Sequence, residues 1–405
     1  MNLLTPNVVL GAACLVFAAV FFYPRLVRAT MWRATVTPLA SIIGSGFLVA
    51  GPILAHAAGA WAWLAMLALC VMAYWFGAAI RYNITHLEGH LDDNPATYHV
   101  WLERLSELAL ALAYFVSVAY YLNLFAAFGL RMGDVLDTLW IRIVSTAVIA
   151  AIGLLGALRG LAGLERLEVW VVSLKMTLIG GLLVTLALAN FNQWQAGELV
   201  WAVKHHDQGL QSLTVLLGLV VLVQGFETSR YLGSKYSAEV RVRSMRWAQW
   251  IATAIYLAFI LLITGQFSEG LPKQGGETAI IDLLKPIGTL IGPLLILTAL
   301  SSQLSAAVAD MNGAGGLLAE TSGRRFPVRV GNLLTALVAI GITWFANIYE
   351  IITYASKMFV AFYALQSLQA ALMSWRKGHK ARAVLFAIAV LIGIGVIVFA
   401  QPVEA

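Results

Sequence analysis

Three stretches of this chain place groups capable of chemistry inside otherwise apolar sequence. They are Ile43-Gly44-Ser45-Gly46, Val223-Gln224-Gly225-Phe226-Glu227, and a lone charge, Lys175, within Val171-Val172-Ser173-Leu174-Lys175-Met176-Thr177. Glycine weakens a helix interior. Backbone groups freed at membrane depth find no partner in lipid, so they must line a cavity or a ligand. A break at Gly44–Gly46 starts a half-helix near Gly46, whose free N–H groups and positive dipole end suit a carboxylate. A break at Val223–Gly225 ends another half-helix, whose unpaired carbonyls suit an ammonium. Together the two would clamp a zwitterion by its main-chain groups. The rest of the ligand is then left to neighbours such as Tyr114, Tyr120, Tyr121, Phe226 and Thr228.

Each of these residues has a plainer reading beside it. A Gly-x-Gly also lets helices pack closely, Gln224 also suits a structural hydrogen bond, and aromatic rings at helical spacing also serve packing. Glu227 is a proton site, a contact for a cationic ligand, or a fixed partner that holds the break. Lys175 is a functional residue by virtue of its place in an apolar span, or it snorkels to an interface about two turns away. Asp310 and Lys357 are opposite charges in two further spans, where they either pair with each other or line a pathway. His205-His206-Asp207 is a poor metal site, because adjacent histidines seldom share one ion. No metal or cofactor motif is expected, and the segment from His86 to His99 is given no chemistry.

The elements that must position these groups follow from composition. The 405 residues are 60% hydrophobic and 11% charged, with a mean hydropathy of +0.83. That excludes an ordinary soluble domain and places the chain among multi-span membrane proteins. Apolar runs long enough to cross a bilayer recur about twelve times: near 6–23, 35–57, 60–80, 105–129, 138–157, 168–190, 209–232, 247–267, 286–311, 331–347, 349–373 and 383–401. Nineteen of the 26 Lys and Arg fall in loops on one side of this arrangement and five on the other, with Lys175 and Lys357 inside spans. The bias puts both termini outside the cytoplasm. The net charge of +6 therefore reports topology and not nucleic-acid binding. Met1 to Asn7 carries no positive charge, so the first span reads as a retained anchor and not a signal peptide. Cys14 and Cys70 lie in apolar spans, and no disulfide is expected.

Setting aside the first and last spans leaves ten. The two broken spans are the first and sixth of these, and five is odd, so the second half enters from the opposite side. Paired interrupted spans in such an inverted repeat point to the binding site of a secondary transporter. The expected organisation is an extra N-terminal helix over 1–33, a first five-helix repeat over 34–190, a second over 209–373, and a C-terminal helix over 374–405.

Three motifs carry a resemblance to a known family. Ile43-Gly44-Ser45-Gly46-Phe47 continuing to Gly51-Pro52 resembles the first core helix of the amino acid–polyamine–organocation (APC) superfamily. Gly225-Phe226-Glu227 resembles its sixth. Ala299-Leu300-Ser301-Ser302, with Gly315 to Pro327, resembles the eighth helix and the loop after it. The likeness spans 34–373. It implies an all-α fold with a five-plus-five core, and an inner-membrane transporter of amino acids or related small amines that works by alternating access. In proton-linked or sodium-independent relatives a lysine of the fifth core helix takes the sodium position between the first and eighth helices. By that resemblance Lys175 is the coupling-ion site, with Ser301 and Ser302 matching the hydroxyls that would otherwise ligate sodium. The expected partners are a small-molecule substrate, a proton and the lipid bilayer. Two alternatives stay open: another small solute or inorganic ion carried on the same fold, and a non-transporting membrane sensor.

Overall fold

The computed structural model describes residues 4–44, 46–88, 97–161, 168–199, 209–266, 276–323 and 325–403. Ser45 and the His205-His206-Asp207 motif lie outside the described residues.

The fold is all-helical, and each expected span falls on a helix or on a broken helix pair. α1 is Leu4–Phe21. The first core span is split into α2 (Thr30–Ile42) and α3 (Gly46–Ala58). Then follow α4 (Ala62–His86), α5 (Thr97–Leu130), α6 (Thr138–Leu158) and α7 (Glu168–Gln195). The sixth core span comprises α8 (Leu210–Leu217) and two 3-10 segments, Val220–Val223 and Phe226–Leu232. The remainder are α9 (Ala238–Thr264), α10 (Ile291–Thr321), α11 (Val328–Phe345), α12 (Ile348–Arg376) and α13 (Lys380–Phe399). Among the described residues nine helices are long and apolar enough to cross a membrane. α1 and the broken spans supply the shorter pieces.

Burial shows which helices build the centre. In α5, 72% of the most apolar stretch is covered by protein, against 28% in α6 and in α13. α5 is thus the central post, while α6 and α13 keep wide apolar faces for lipid. α5 packs along α10 and α12, α9 packs along α4 and α2, α11 along α6, and α13 along α12. α1 packs along α7, where a Cβ on Gly180 would come within 2.6 Å of the Phe17 ring. Lipid is as apolar as leucine, so small residues that let backbones approach are what favour such helix pairs in a membrane. α1 is tied at its other end, where Asn7 Nδ2 donates to Thr289 Oγ1 at 2.9 Å and Leu290 N donates to Asn7 Oδ1 at 3.2 Å.

The face carrying Arg230 and Arg241 is closed by an ionic network. The Arg230 guanidinium donates to Glu103 of α5 at 2.9 Å and to Gln366 of α12. Arg241 of α9 holds both oxygens of Glu88 beyond α4, at 3.1 and 2.6 Å, and donates to Arg230 O at 2.7 Å. Gln366 in turn donates to Ser106 of α5 and its oxygen accepts from Asn83 of α4, both at 2.9 Å. Five elements are joined by these bonds. In the sequence Arg230 and Arg241 stand only among the topology-setting charges, and their partners are not singled out.

Candidate substrate and coupling-ion site

α2 stops at Ile42 because Ile43 turns to φ −85°, ψ 51°. The last helical bonds are Ile43 N to Leu39 O at 3.0 Å and Gly44 N to Ser41 O at 3.1 Å. The carbonyls left over have identifiable partners. Lys175 Nζ donates to Ala40 O at 3.0 Å and to Ile43 O at 2.8 Å. Its side chain is fully buried, with the ammonium aimed at the break and not at an interface. Ile42 O accepts from Tyr256 Oη of α9 at 2.9 Å.

The sixth span is broken twice. α8 ends before Gly218, whose carbonyl accepts from Ser356 Oγ of α12 at 2.6 Å. Val221 N donates to that same hydroxyl at 2.9 Å. The second break is at Gln224, which is extended, and Gly225, with φ +113°. That φ is open to glycine and strained for other residues. Glu227 bridges the gap: its Oε2 accepts from Gly225 N at 2.9 Å and from Tyr363 Oη of α12 at 2.8 Å. One carboxylate oxygen thus holds the break. The segment after it, Phe226–Leu232, is wound as a 3-10 helix.

The two breaks touch. A Cβ on Gly46 would lie 2.7 Å from Leu222 O, and one on Gly225 would lie 2.5 Å from Ser41 Oγ. Both glycines are therefore needed for backbone approach. Tyr256 Oη stands within reach of Ile42 O and of Leu222 O, the latter at 2.5 Å. A hydroxyl has one proton, so it serves one of these carbonyls at a time. Gly44 faces the ring of Tyr121, and Tyr121 Oη accepts from Gln224 Nε2 at 2.7 Å. Gln224 Oε1 is buried without a protein partner. Val223, Phe226 and Tyr120 are buried, the ring of Tyr120 5.1 Å from that of Tyr121, while Tyr114 is buried against Phe359 of α12.

The remaining expected site residues are placed differently. Ser302 is buried, while Ser301 Oγ donates back within its own helix, to Leu297 O at 2.8 Å and Thr298 O at 3.1 Å. Asp310 is buried and accepts from Ser117 Oγ of α5. Lys357 is half-buried on α12. Asp310 and Lys357 form no ion pair with each other. Among the described residues no group of three or more His, Cys, Asp or Glu could hold a metal ion.

Four residues that complete the site were not singled out from sequence: Ser117, Tyr256, Ser356 and Tyr363. Each is a hydroxyl in an apolar span, with nothing in its local pattern to separate it from a packing residue.

Two interrupted spans meeting in a helical membrane protein, with their backbone groups held by side chains from three other helices, α7, α9 and α12, define a secondary transporter. The chain belongs to the APC superfamily: a family profile described as "APC superfamily transporter" matches residues 24–400. It is similar to an uncharacterized protein of Aquifex aeolicus (strain VF5), at 40% identity over 389 residues, covering 95% of this chain and 94% of that one. Its fold is similar to that of a Na+-coupled sialic acid symporter solved in a substrate-bound, outward-open state. The TM-score is 0.54 at 13% identity, and the match covers 99% of this chain and 98% of the other.

Proposed function

We propose that this transporter carries amino acids or related small amines across a bacterial inner membrane by alternating access, and that Lys175 replaces the coupling sodium ion. Transport is then proton-coupled or sodium-independent exchange, with both termini extracytoplasmic. The observation that carries this reading is the pair of bonds from Lys175 Nζ to Ala40 O and Ile43 O. A fixed ammonium sits on carbonyls at the end of a broken helix, which is where a bound cation would find its ligands. The solved neighbour is described as Na+-coupled; here a protein cation stands against the break instead. The start of α3 at Gly46 supports a carboxylate, and the carbonyls near Val223 and Gln224 support an ammonium. The bundle holding both breaks would rock against α5 and α10, stabilised in one state or the other by ligand and proton.

The test is uptake into proteoliposomes in choline buffer free of sodium, with and without an inward proton gradient. It is preceded by a thermal-shift screen over amino acids, amines and inorganic ions, because a ligand of the folded state raises its apparent stability. Uptake of an amino acid or amine without sodium, responsive to pH, is expected. A strict sodium requirement overturns the assignment of Lys175, and a screen answered only by inorganic ions overturns the substrate class.

A further inference from the structure

The end of α5 away from the Arg230 network carries a cavity apart from the breaks. Its volume is about 380 Å³, within the range of about 300–1,000 Å³ usual for small-molecule sites. It lies between the turn after α5, the segment 281–285 and the first turns of α10. Four charged side chains line it: Arg131, Asp134, Asp282 and Lys285. Arg131 is buried and donates to Asp282, which fastens the turn to the segment. The Asp134 carboxylate is 91% exposed and stands 3.9 Å from Arg131, beyond hydrogen-bond reach. No ion pair holds Lys285 among the described residues. One cation and one carboxylate are thus left for a ligand.

The floor of the cavity is apolar, made by Ile281, Ile296, Leu297 and Leu300. Leu297 is 50% exposed, and Leu304, two turns further along the same face of α10, is 40% exposed. Leu297, Leu300 and Leu304 have the spacing of one helix face, so the floor runs out of the cavity onto the lipid-facing side of α10. Trp140, exposed in the first turn of α6, marks the membrane–water boundary at this end of the molecule. A mouth bearing both signs of charge at that boundary, over an apolar channel leading into lipid, matches a molecule with a phosphate, an ammonium and a long chain.

We propose that this cavity binds a zwitterionic phospholipid of the adjoining leaflet, with its phosphate on Lys285, its ammonium on Asp134 and an acyl chain along Leu297, Leu300 and Leu304. Lysine binds phosphate as a point charge, and charged pockets between membrane helices receive lipid head groups. The balance of charge favours a zwitterion over an anion. Two basic and two acidic side chains leave the rim neutral, and a phosphate without an ammonium leaves Asp134 unanswered. The lipid then lies across the joint between α5 and α10, next to Thr289, which α1 holds through Asn7.

The test is native mass spectrometry of the full-length transporter, released from nanodiscs that hold equal amounts of phosphatidylethanolamine and phosphatidylglycerol with the same chains. Retained phosphatidylethanolamine is expected to exceed phosphatidylglycerol about tenfold, the worth of one charge-assisted hydrogen bond. Asp134→Asn, at a left-handed φ of 54° that asparagine tolerates, is expected to bring the ratio to one while lipid is still retained. Lys285→Gln is expected to lower retention of both lipids. Gly292 lines the cavity, and a Cβ there meets nothing closer than Ile281 at 3.7 Å, so Gly292→Leu should fill the space and displace both lipids. If a variant fails to fold, the ratio in the unmodified protein decides. Equal retention of the two lipids by the unmodified protein overturns the proposal, as does a preference for phosphatidylglycerol or a ratio that no variant changes. Phosphoethanolamine, the head group without chains, separates the two sources of this chemistry. If it raises the melting temperature as far as lysophosphatidylethanolamine does, the cavity takes a soluble phosphate and the lipid assignment falls.

Discussion

Removing the ammonium of Lys175 leaves Ala40 O and Ile43 O without their donor. A buried polar group left unpaired costs about 1–3 kcal/mol. Lys175→Ala should therefore lower the melting temperature, and it should lose either transport or its response to pH. A variant with the same pH profile of uptake as the unmodified protein would return Lys175 to a purely structural role. At Gly46 the argument is steric. A valine there places its Cβ against Leu222 O at 2.7 Å, so Gly46→Val should separate the breaks and abolish binding in a protein that still inserts and elutes as a single species. Unchanged affinity in that variant would put the site elsewhere. Both breaks and Lys175 were legible in the sequence, because glycine and charge are conspicuous in apolar runs. Tyr256 and Tyr363 were not: a tyrosine among Ala, Ile and Leu has the same local signature whether it packs or holds a broken helix. Asp310 and Lys357 show the opposite limit. Opposite charges in two apolar spans read as a pair, but α10 and α12 each pack along α5, and no ion pair joins the two residues.

At the scale of the element, the sixth core span is held open by borrowed bonds. Ser356 of α12 accepts from Val221 N and donates to Gly218 O, which an unbroken helix would satisfy internally. Ser356→Ala orphans both groups. The expected loss is about 1–3 kcal/mol, with faster amide exchange confined to residues 218–223, measured by hydrogen–deuterium exchange. Unchanged protection across that stretch would show that the span holds its own shape. Most helix limits were legible to within about six residues, since apolar length fixes them, but α5 begins 8 and α9 begins 9 residues before the expected span and α10 runs 10 beyond it, because polar turns carry the helix past its apolar run. The 3-10 winding of Phe226–Leu232 was not legible. It depends on Glu227 reaching Gly225 N and on Tyr363 reaching Glu227, and such contacts cross from one span to another.

Across the whole molecule, the bonds joining Arg230, Glu103, Arg241 and Glu88 fasten α5, α9 and the end of the sixth span on one face. Opening that face must break them. Glu103→Gln removes the nearest carboxylate partner of the buried Arg230 and leaves it Glu88 at 3.9 Å and the bond to Gln366, so the equilibrium should move toward a state open there. A cysteine at the buried Ser106, in a background without Cys14 and Cys70, should be alkylated faster in Glu103→Gln than in its parent. Equal rates would assign the network to stability alone. The same single-cysteine approach tests orientation: a cysteine beside Arg243 should resist impermeant reagents added outside intact cells, and its labelling there would reverse the topology.

The seat of α1 on α7 has a consequence for synthesis. α1 leaves the ribosome about 150 residues before the helix it rests on. At about 5–20 residues per second it waits on the order of 10–30 s in the bilayer before its partner arrives. α1 carries no charged residue, and it meets α7 through small and aromatic side chains, Phe17 against Gly180 and Cys14 against Gly181. A segment built this way can dwell alone in lipid and dock late, so α1 enters the membrane well before α7 and finds its place only when that partner arrives.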